Sequence, residues 1–170
     1  MTRAEFQRTA KPHLIADVRL YSTAEVTLYD LVADVRASVE RHSMVEMPVD
    51  QAADFVHAAK TTFLKEDVGW GWWWESLSQP TFHVVYQASL YSSVLLPALL
   101  GPKAQVVLIV PTGTPRQATP AFTGTAEELV EVLNDLPMFE FVIVDPHLKW
   151  IICDMHDGVL CFCGAVTVAE

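Results

Sequence analysis

The chain has 170 residues, of which 51% are hydrophobic, near the size of one domain and enough to bury roughly 70% of its unfolded surface. Its formal net charge of −10 is uneven: residues 1–117 carry 12 acids and 10 bases, whereas residues 118–170 carry 9 acids and one base, Lys149. This argues against free nucleic acid as a ligand, which needs a basic surface to displace counterions. It suits either a basic protein partner, drawn in by a complementary field, or simple solubility.

The opening residues MTRAEFQRTAKPHL lack the apolar stretch of a secretory signal. The apolar runs Ser93–Leu100 and Ala104–Pro111 fall well short of the roughly 20 residues a membrane helix needs. The expectation is therefore a soluble, cytoplasmic protein with no membrane partner. Three cysteines, odd in number and close together at Cys153, Cys161 and Cys163, are not a secreted disulfide framework. One domain spanning 1–170 is expected, its polar start (1–11) frayed.

In chain order, His13–Leu20 alternates apolar and polar residues as a strand does. Ser22-x-x-Glu25 is a capping-box pattern, and Leu28, Val32, Val35 and Val39 then recur at helical spacing, predicting a helix over Thr23–His42. Pro48 and Asp50 open a second helix to Leu64, with Phe55, Val56, Ala59 and Phe63 on its apolar face. A polar turn over Lys65–Gly71 leads to Trp70, Trp72, Trp73 and Trp74. Thr81–Gln87 reads as a strand, and Leu90–Leu100 as a short helix or irregular apolar segment broken by Pro97. Ala104–Val110 reads as a strand buried on both faces, and Pro111–Gly124 as a long loop. Thr125-x-x-Glu128 is a second capping box, starting a helix that ends before Pro137. This helix buries Leu129, Val132, Leu133 and Leu136 and lines Glu127, Glu131 and Asp135 along one exposed edge. The chain closes in an antiparallel meander: a strand from Phe139, a turn at Asp145–His147, a strand over Leu148–Cys153, a turn over Asp154–Gly158 and a strand over Val159–Cys163. The fold class is α+β: an antiparallel or mixed sheet with three to four helices packed on it.

Three constellations carry the candidate chemistry. In the C-terminal hairpin, Cys161 and Cys163 share a strand face and Cys153 can approach them from the neighbouring strand. With His156 they offer four zinc-type ligands, although the paired Cys-x-x-Cys knuckle is absent. The competing reading is that buried free cysteines act as small hydrophobes. Asp154, His156 and Asp157 offer a carboxylate-oriented general base, or an ordinary tight turn. The tryptophan cluster offers partner-binding anchors in Trp72 and Trp73, or a core plug. Elsewhere Pro111-Thr-Gly-Thr-Pro115 lacks the phosphate-loop pattern, and neither a Gly-x-Ser-x-Gly elbow nor a His-Glu-x-x-His motif is present. No cofactor is expected, and nothing in the sequence sets an oligomeric state.

The run Phe139-Glu140-Phe141-Val142-Ile143-Val144-Asp145, followed by Leu148-Lys149-Trp150-Ile151-Ile152-Cys153 and an acidic–His turn, resembles a group of small uncharacterised bacterial proteins. Their block reads as an aromatic–Glu strand, a Lys–Trp–Leu–Ile–Cys strand and a Glu-Asn-His-His turn. Here the turn is Asp154-Met155-His156-Asp157, lacking one histidine of the pair. The segment Trp72–Leu77 is shared as well. Such small acidic α+β proteins are similar to immunity proteins of bacterial toxin systems, which bind and block a toxin without activity of their own. That resemblance implies a non-catalytic protein-binding module. Glu127, Glu131 and Asp135 would steer a basic partner onto Trp72 or Trp73. The alternative is a small enzyme or metal-binding protein built on the Asp154–Cys163 hairpin.

Overall fold

The computed structural model describes residues 31–66, 73–78, 81–85, 93, 95–110, 118–137, 139–155 and 158–165. The expected strand over His13–Leu20, the first capping box and the expected helix start at Thr23 lie outside the described residues. Leu31–Glu170 forms one compact unit.

Four α-helices lie among the described residues. Helix α1 (Leu31–Arg41) buries Val32, Val35, Ser38 and Val39, the spacing of one helical face. It ends where Ser43 takes φ 64°, the left-handed conformation that glycine supplies at many helix ends. Ser43 is exposed, so Ser43→Gly removes a steric cost without removing a contact. It should stabilise the protein by about 0.5–1 kcal/mol, read as a higher denaturant midpoint. Helix α2 (Val49–Phe63) begins after Pro48 and buries Ala52, Val56, Ala59 and Phe63. Helix α3 (Leu96–Leu100) carries Pro97 in its first turn, where the missing N–H costs nothing, and ends at Gly101 with φ 80°. Helix α4 (Ala126–Asn134) starts on the expected capping box: Glu128 N–H donates to Thr125 Oγ1 at 3.2 Å, and Thr125 N–H donates to Glu128 Oε2 at 2.7 Å. Its buried residues include Leu129, Val132 and Leu133, and Leu136 just beyond it is also buried.

The strands are β1 (Val45–Glu46), β2 (Thr81–Val85), β3 (Gln105–Ile109), β4 (Ala121–Thr125), β5 (Val142–Val144), β6 (Trp150–Met155) and β7 (Val159–Gly164). They form one seven-stranded sheet in the order β1-β4-β3-β5-β6-β7-β2, with every neighbouring pair antiparallel. The fold is therefore α+β, and the C-terminal meander β5-β6-β7 stands as expected.

Its bounds shift. The first strand begins at Val142 rather than Phe139; before it, Phe139 and Phe141 form an edge-on ring pair 5.7 Å apart. The second runs on to Met155, carrying Asp154 within it. The expected loop Pro111–Gly124 is corrected at its end: Ala121–Thr125 is a strand paired along the whole of β3. Ala121 and Phe122 are fully buried, so burial against β3 outweighs the turn-like local composition.

The sheet is covered on both faces. On one, Val106, Leu108, Phe122, Ile143, Ile152, Leu160 and Phe162 meet Val35 and Val39 of α1, Leu96 of α3, and Leu129 and Val132 of α4. On the other, Val107, Ile109, Val142, Val144, Ile151 and the three cysteines meet Ala52, Val56, Ala59 and Phe63 of α2, together with Trp73 and Leu77. Two covered faces explain why the central strands read as continuous apolar runs rather than alternating ones.

Candidate functional site

The cysteine hairpin is built by register. Cys153 on β6 stands directly opposite Cys161 on β7, with Cys163 two residues further along, so all three lie on the face covered by α2 and Trp73. All are free thiols and all are buried. Cys161 Sγ lies 3.2 Å from Met155 Sδ. Burial pushes the Cys153 thiol well above its ordinary range, and the neighbouring thiols and Asp154 add to this. Burial, then Asp154, raises Cys161 to about 11. A nucleophilic or redox cysteine needs the opposite, a thiolate favoured by positive surroundings. A disulfide-exchange reagent at mildly alkaline pH should leave Cys153 and Cys161 unmodified in the native protein and modify them once denaturant is added. Rapid modification of the native protein would contradict this burial.

Asp154 does not sit at the hairpin tip. It lies within β6 opposite Leu160, 3% exposed, and its N–H donates to Phe141 O at 2.9 Å. Strand alternation puts its side chain on the face opposite to Cys153 and Cys161. The expected turn over Asp154–Gly158 is thus corrected, because the strand carries two more ladder pairs, Asp154 with Leu160 and Met155 with Val159. His156 and Asp157 lie outside the described residues. Among the described residues, no group of three His, Cys, Asp or Glu side chains is arranged to hold a metal ion.

Of the tryptophans, Trp70 and Trp72 lie outside the described residues. Trp73 opens a 3₁₀ helix over Trp73–Ser76 and is 3% exposed within the α2-side core. The Lys60 ammonium lies 5.6 Å from its ring centre, within cation–π range. Trp73 is therefore a plug under α2 and not a surface anchor. The segment is tied down on both sides: Lys65 N–H donates to Ser76 O, and Ser78 N–H donates to Phe63 O, each at 2.7 Å.

The acidic edge of α4 divides in two. Asp135 accepts from Arg41 at 2.8 Å, from Ser38 at 3.2 Å, and meets His42 Nε2 at 2.7 Å. It clamps the end of α4 to the end of α1 and so is committed within the fold rather than offered to a partner. Arg41 and then His42 hold its carboxyl at about 2, below the usual carboxylate value of 3.8. A depressed value contributes stability above the unfolded value, and that contribution is lost as pH falls. The denaturant midpoint should therefore drop between about pH 4 and pH 2, and Asp135→Asn should flatten this part of the profile.

Glu127 and Glu131 are exposed. The neighbouring helix α1 presents exposed Asp34 and Glu40. Both of its arginines are engaged by carboxylates, Arg41 by Asp135 and Arg36 by Glu46 through contacts of 2.7–3.1 Å. The surface of α1 and α4 is net acidic because its carboxylates outnumber its two arginines, which are paired but more than half exposed.

One feature escaped the sequence. A cleft of about 490 Å³ opens at the end of the sheet, lined by Leu100, Val106, Thr123, Asp145, His147 and Trp150 among others. It exists because β3 and β5 part company beyond the pair Val107–Val144. Asp145 Oδ2 accepts the N–H groups of His147 at 2.9 Å and Lys149 at 3.1 Å, turning the chain away from β3. Pro146 has no N–H with which to continue the ladder. Ala126 N–H donates to Ala104 O, and Glu127 N–H to Pro102 O, so the first turn of α4 rests on the loop that forms one wall. Asp145-Pro146-His147 reads as a turn in sequence, but the gap it leaves depends on β3, some forty residues earlier in the chain.

A family model, described as a family of unknown function (DUF6756), matches residues 34–170. No curated protein and no solved structure matches the chain.

Proposed function

We propose that this chain, which belongs to DUF6756, a family of unknown function, is a non-catalytic protein-binding module that blocks a basic partner in the manner of an immunity protein. The observation that supports this best is the α1–α4 surface. Arg36 and Arg41 are paired at the surface with Glu46 and Asp135, while Glu127, Glu131, Asp34 and Glu40 face solvent, leaving an excess of carboxylates. A surface with a net excess of one charge steers an oppositely charged partner and disfavours like-charged ones. Trp73 is buried, so the reading rests on charge rather than on an aromatic anchor. The raised cysteine thiols and the in-strand position of Asp154 weigh against an enzyme built on the hairpin.

The test is affinity capture from the source organism's lysate, using the wild type and a Glu127→Lys/Glu131→Lys variant. The reading expects a stoichiometric partner of basic composition that the wild type retains and the variant releases. Absence of a stoichiometric partner, or equal retention by the variant, would overturn it.

A further inference from the structure

Gln105 stands at a break inside the sheet. Ala126 N–H donates to Ala104 O, and Val110 N–H donates to Pro120 O, so the even-numbered residues along β3 turn their backbone groups toward β4. Backbone groups alternate in direction along an antiparallel strand, and those of Gln105, Val107 and Ile109 therefore turn toward β5. Val107 and Ile109 meet Val144 and Val142 there. Gln105 meets no strand. The same register would set it against Pro146, where β5 has ended and the residue has no N–H to give.

The turn beyond β5 keeps its donors for itself. Asp145 N–H donates to Trp150 O, and Leu148 N–H to Asp145 O, while the N–H groups of His147 and Lys149 donate to Asp145 Oδ2. The N–H and C=O of Gln105 thus have no backbone partner on this side. They face the cleft of about 490 Å³ that Gln105, Asp145, Pro146 and Trp150 help to line. Both bonds to the Asp145 side chain fall on Oδ2, and among the described residues no cation pairs with it.

We infer that this cleft is a slot for one extended peptide residue carrying a lysine or arginine side chain, supplied by the basic partner; the inference rests on the reading proposed above. An N–H and a C=O turned the same way from one residue are what a neighbouring strand residue engages with its own C=O and N–H. A peptide backbone answers both at once, which a lipid tail or a lone cation does not. The second carboxylate oxygen of Asp145 favours a cationic side chain at the same opening, and the net charge of −10 favours the same sign. The slot pairs with a single residue, so a short free peptide binds weakly and is read at high concentration.

The test is a titration of the isotopically labelled full chain with blocked tripeptides, followed through its amide resonances. Acetyl-Val-Lys-Val-amide should shift the Gln105 amide, and should bind about fivefold more tightly than acetyl-Val-Glu-Val-amide. The lysine peptide methylated at the backbone nitrogen of its lysine cannot donate to Gln105 O, and should lose most of the response. Asp145→Asn keeps an oxygen for the His147 and Lys149 N–H groups but removes the charge, so it should erase the preference for lysine over glutamate. Shifts that spare Gln105, equal binding of the lysine and glutamate peptides, a response indifferent to methylation, or a preference that survives Asp145→Asn would each overturn the inference. The titration needs no captured partner, so its failure leaves the acidic surface to be judged separately by capture with Glu127→Lys/Glu131→Lys.

Discussion

Trp73→Ala should lower the free energy of unfolding by about 3–5 kcal/mol, the range for deleting a large buried aromatic. The indole is 3% exposed and packs in the core cluster that holds Ala59, Phe63 and Leu77 together with the inner-face cysteines. Deleting it opens a cavity that the backbone cannot readily close, because the segment is bonded to the end of α2 on both sides, at Lys65–Ser76 and Phe63–Ser78. The Lys60 ammonium over the ring loses its partner too, worth about 0.5–1 kcal/mol at a partly exposed site. Trp73→Phe, which retains an aromatic ring, should cost markedly less. Equilibrium unfolding in denaturant reads both. Were Trp73 a surface anchor, its removal would move stability by no more than about 0.5 kcal/mol.

Gly164→Ala should cost about 3 kcal/mol through a different mechanism, backbone against backbone. Gly164 ends β7 opposite Trp150, with φ +95°, where a side chain is strained whatever space surrounds it. A Cβ there would stand 2.3 Å from Lys149 O and 2.9 Å from Trp150 Cα. Lys149 O cannot simply withdraw, because it also accepts the N–H of Ala165 at 3.1 Å. The start of β6 would have to shift, and Trp150, 7% exposed, would shift with it. Gly124→Ala is the informative comparison. Its Cβ meets Met44 Cγ at 2.6 Å and Glu128 Oε2 at 2.9 Å, side-chain rather than backbone atoms, so it should be the milder of the two while still disturbing buried Met44 and the capping box.

How far the sequence carried the reading follows from what is local and what is not. Helix α4 was legible because its capping box and its buried stripe are contiguous, and both are met residue for residue at Thr125, Glu128, Leu129 and Val132. The meander was legible because short turns leave adjacent apolar strands no pairing but an antiparallel one. Strand β4 was not legible: Ala121-Phe122-Thr123-Gly124-Thr125 carries loop composition and becomes a strand through its ladder with β3. The internal ion pairs of Asp135 were illegible for a similar reason. Spacing places it on the exposed edge of α4, but the clamp on it comes from Ser38, Arg41 and His42, more than ninety residues earlier in the chain. Trp73 could be read as plug or anchor from sequence, and only its packing under α2 decides between them. The cleft could not be read at all, because it is a gap between strands that stop pairing rather than a pattern within one.

These outcomes shape the functional account. Burial removes Trp73, Asp154 and the three cysteines from the accessible surface, and Asp135, though exposed, is paired with Arg41. What remains accessible among the candidate residues is the net acidic α1–α4 surface with Glu127 and Glu131. It is read as the face for a basic partner.

The most direct test of the central claim is the association rate of the purified chain with its captured partner at increasing ionic strength. If the acidic surface steers the encounter, the rate should fall steeply with salt, and Glu127→Lys/Glu131→Lys should lower it about tenfold or more at low salt. An association rate indifferent both to salt and to the double charge reversal would contradict the account.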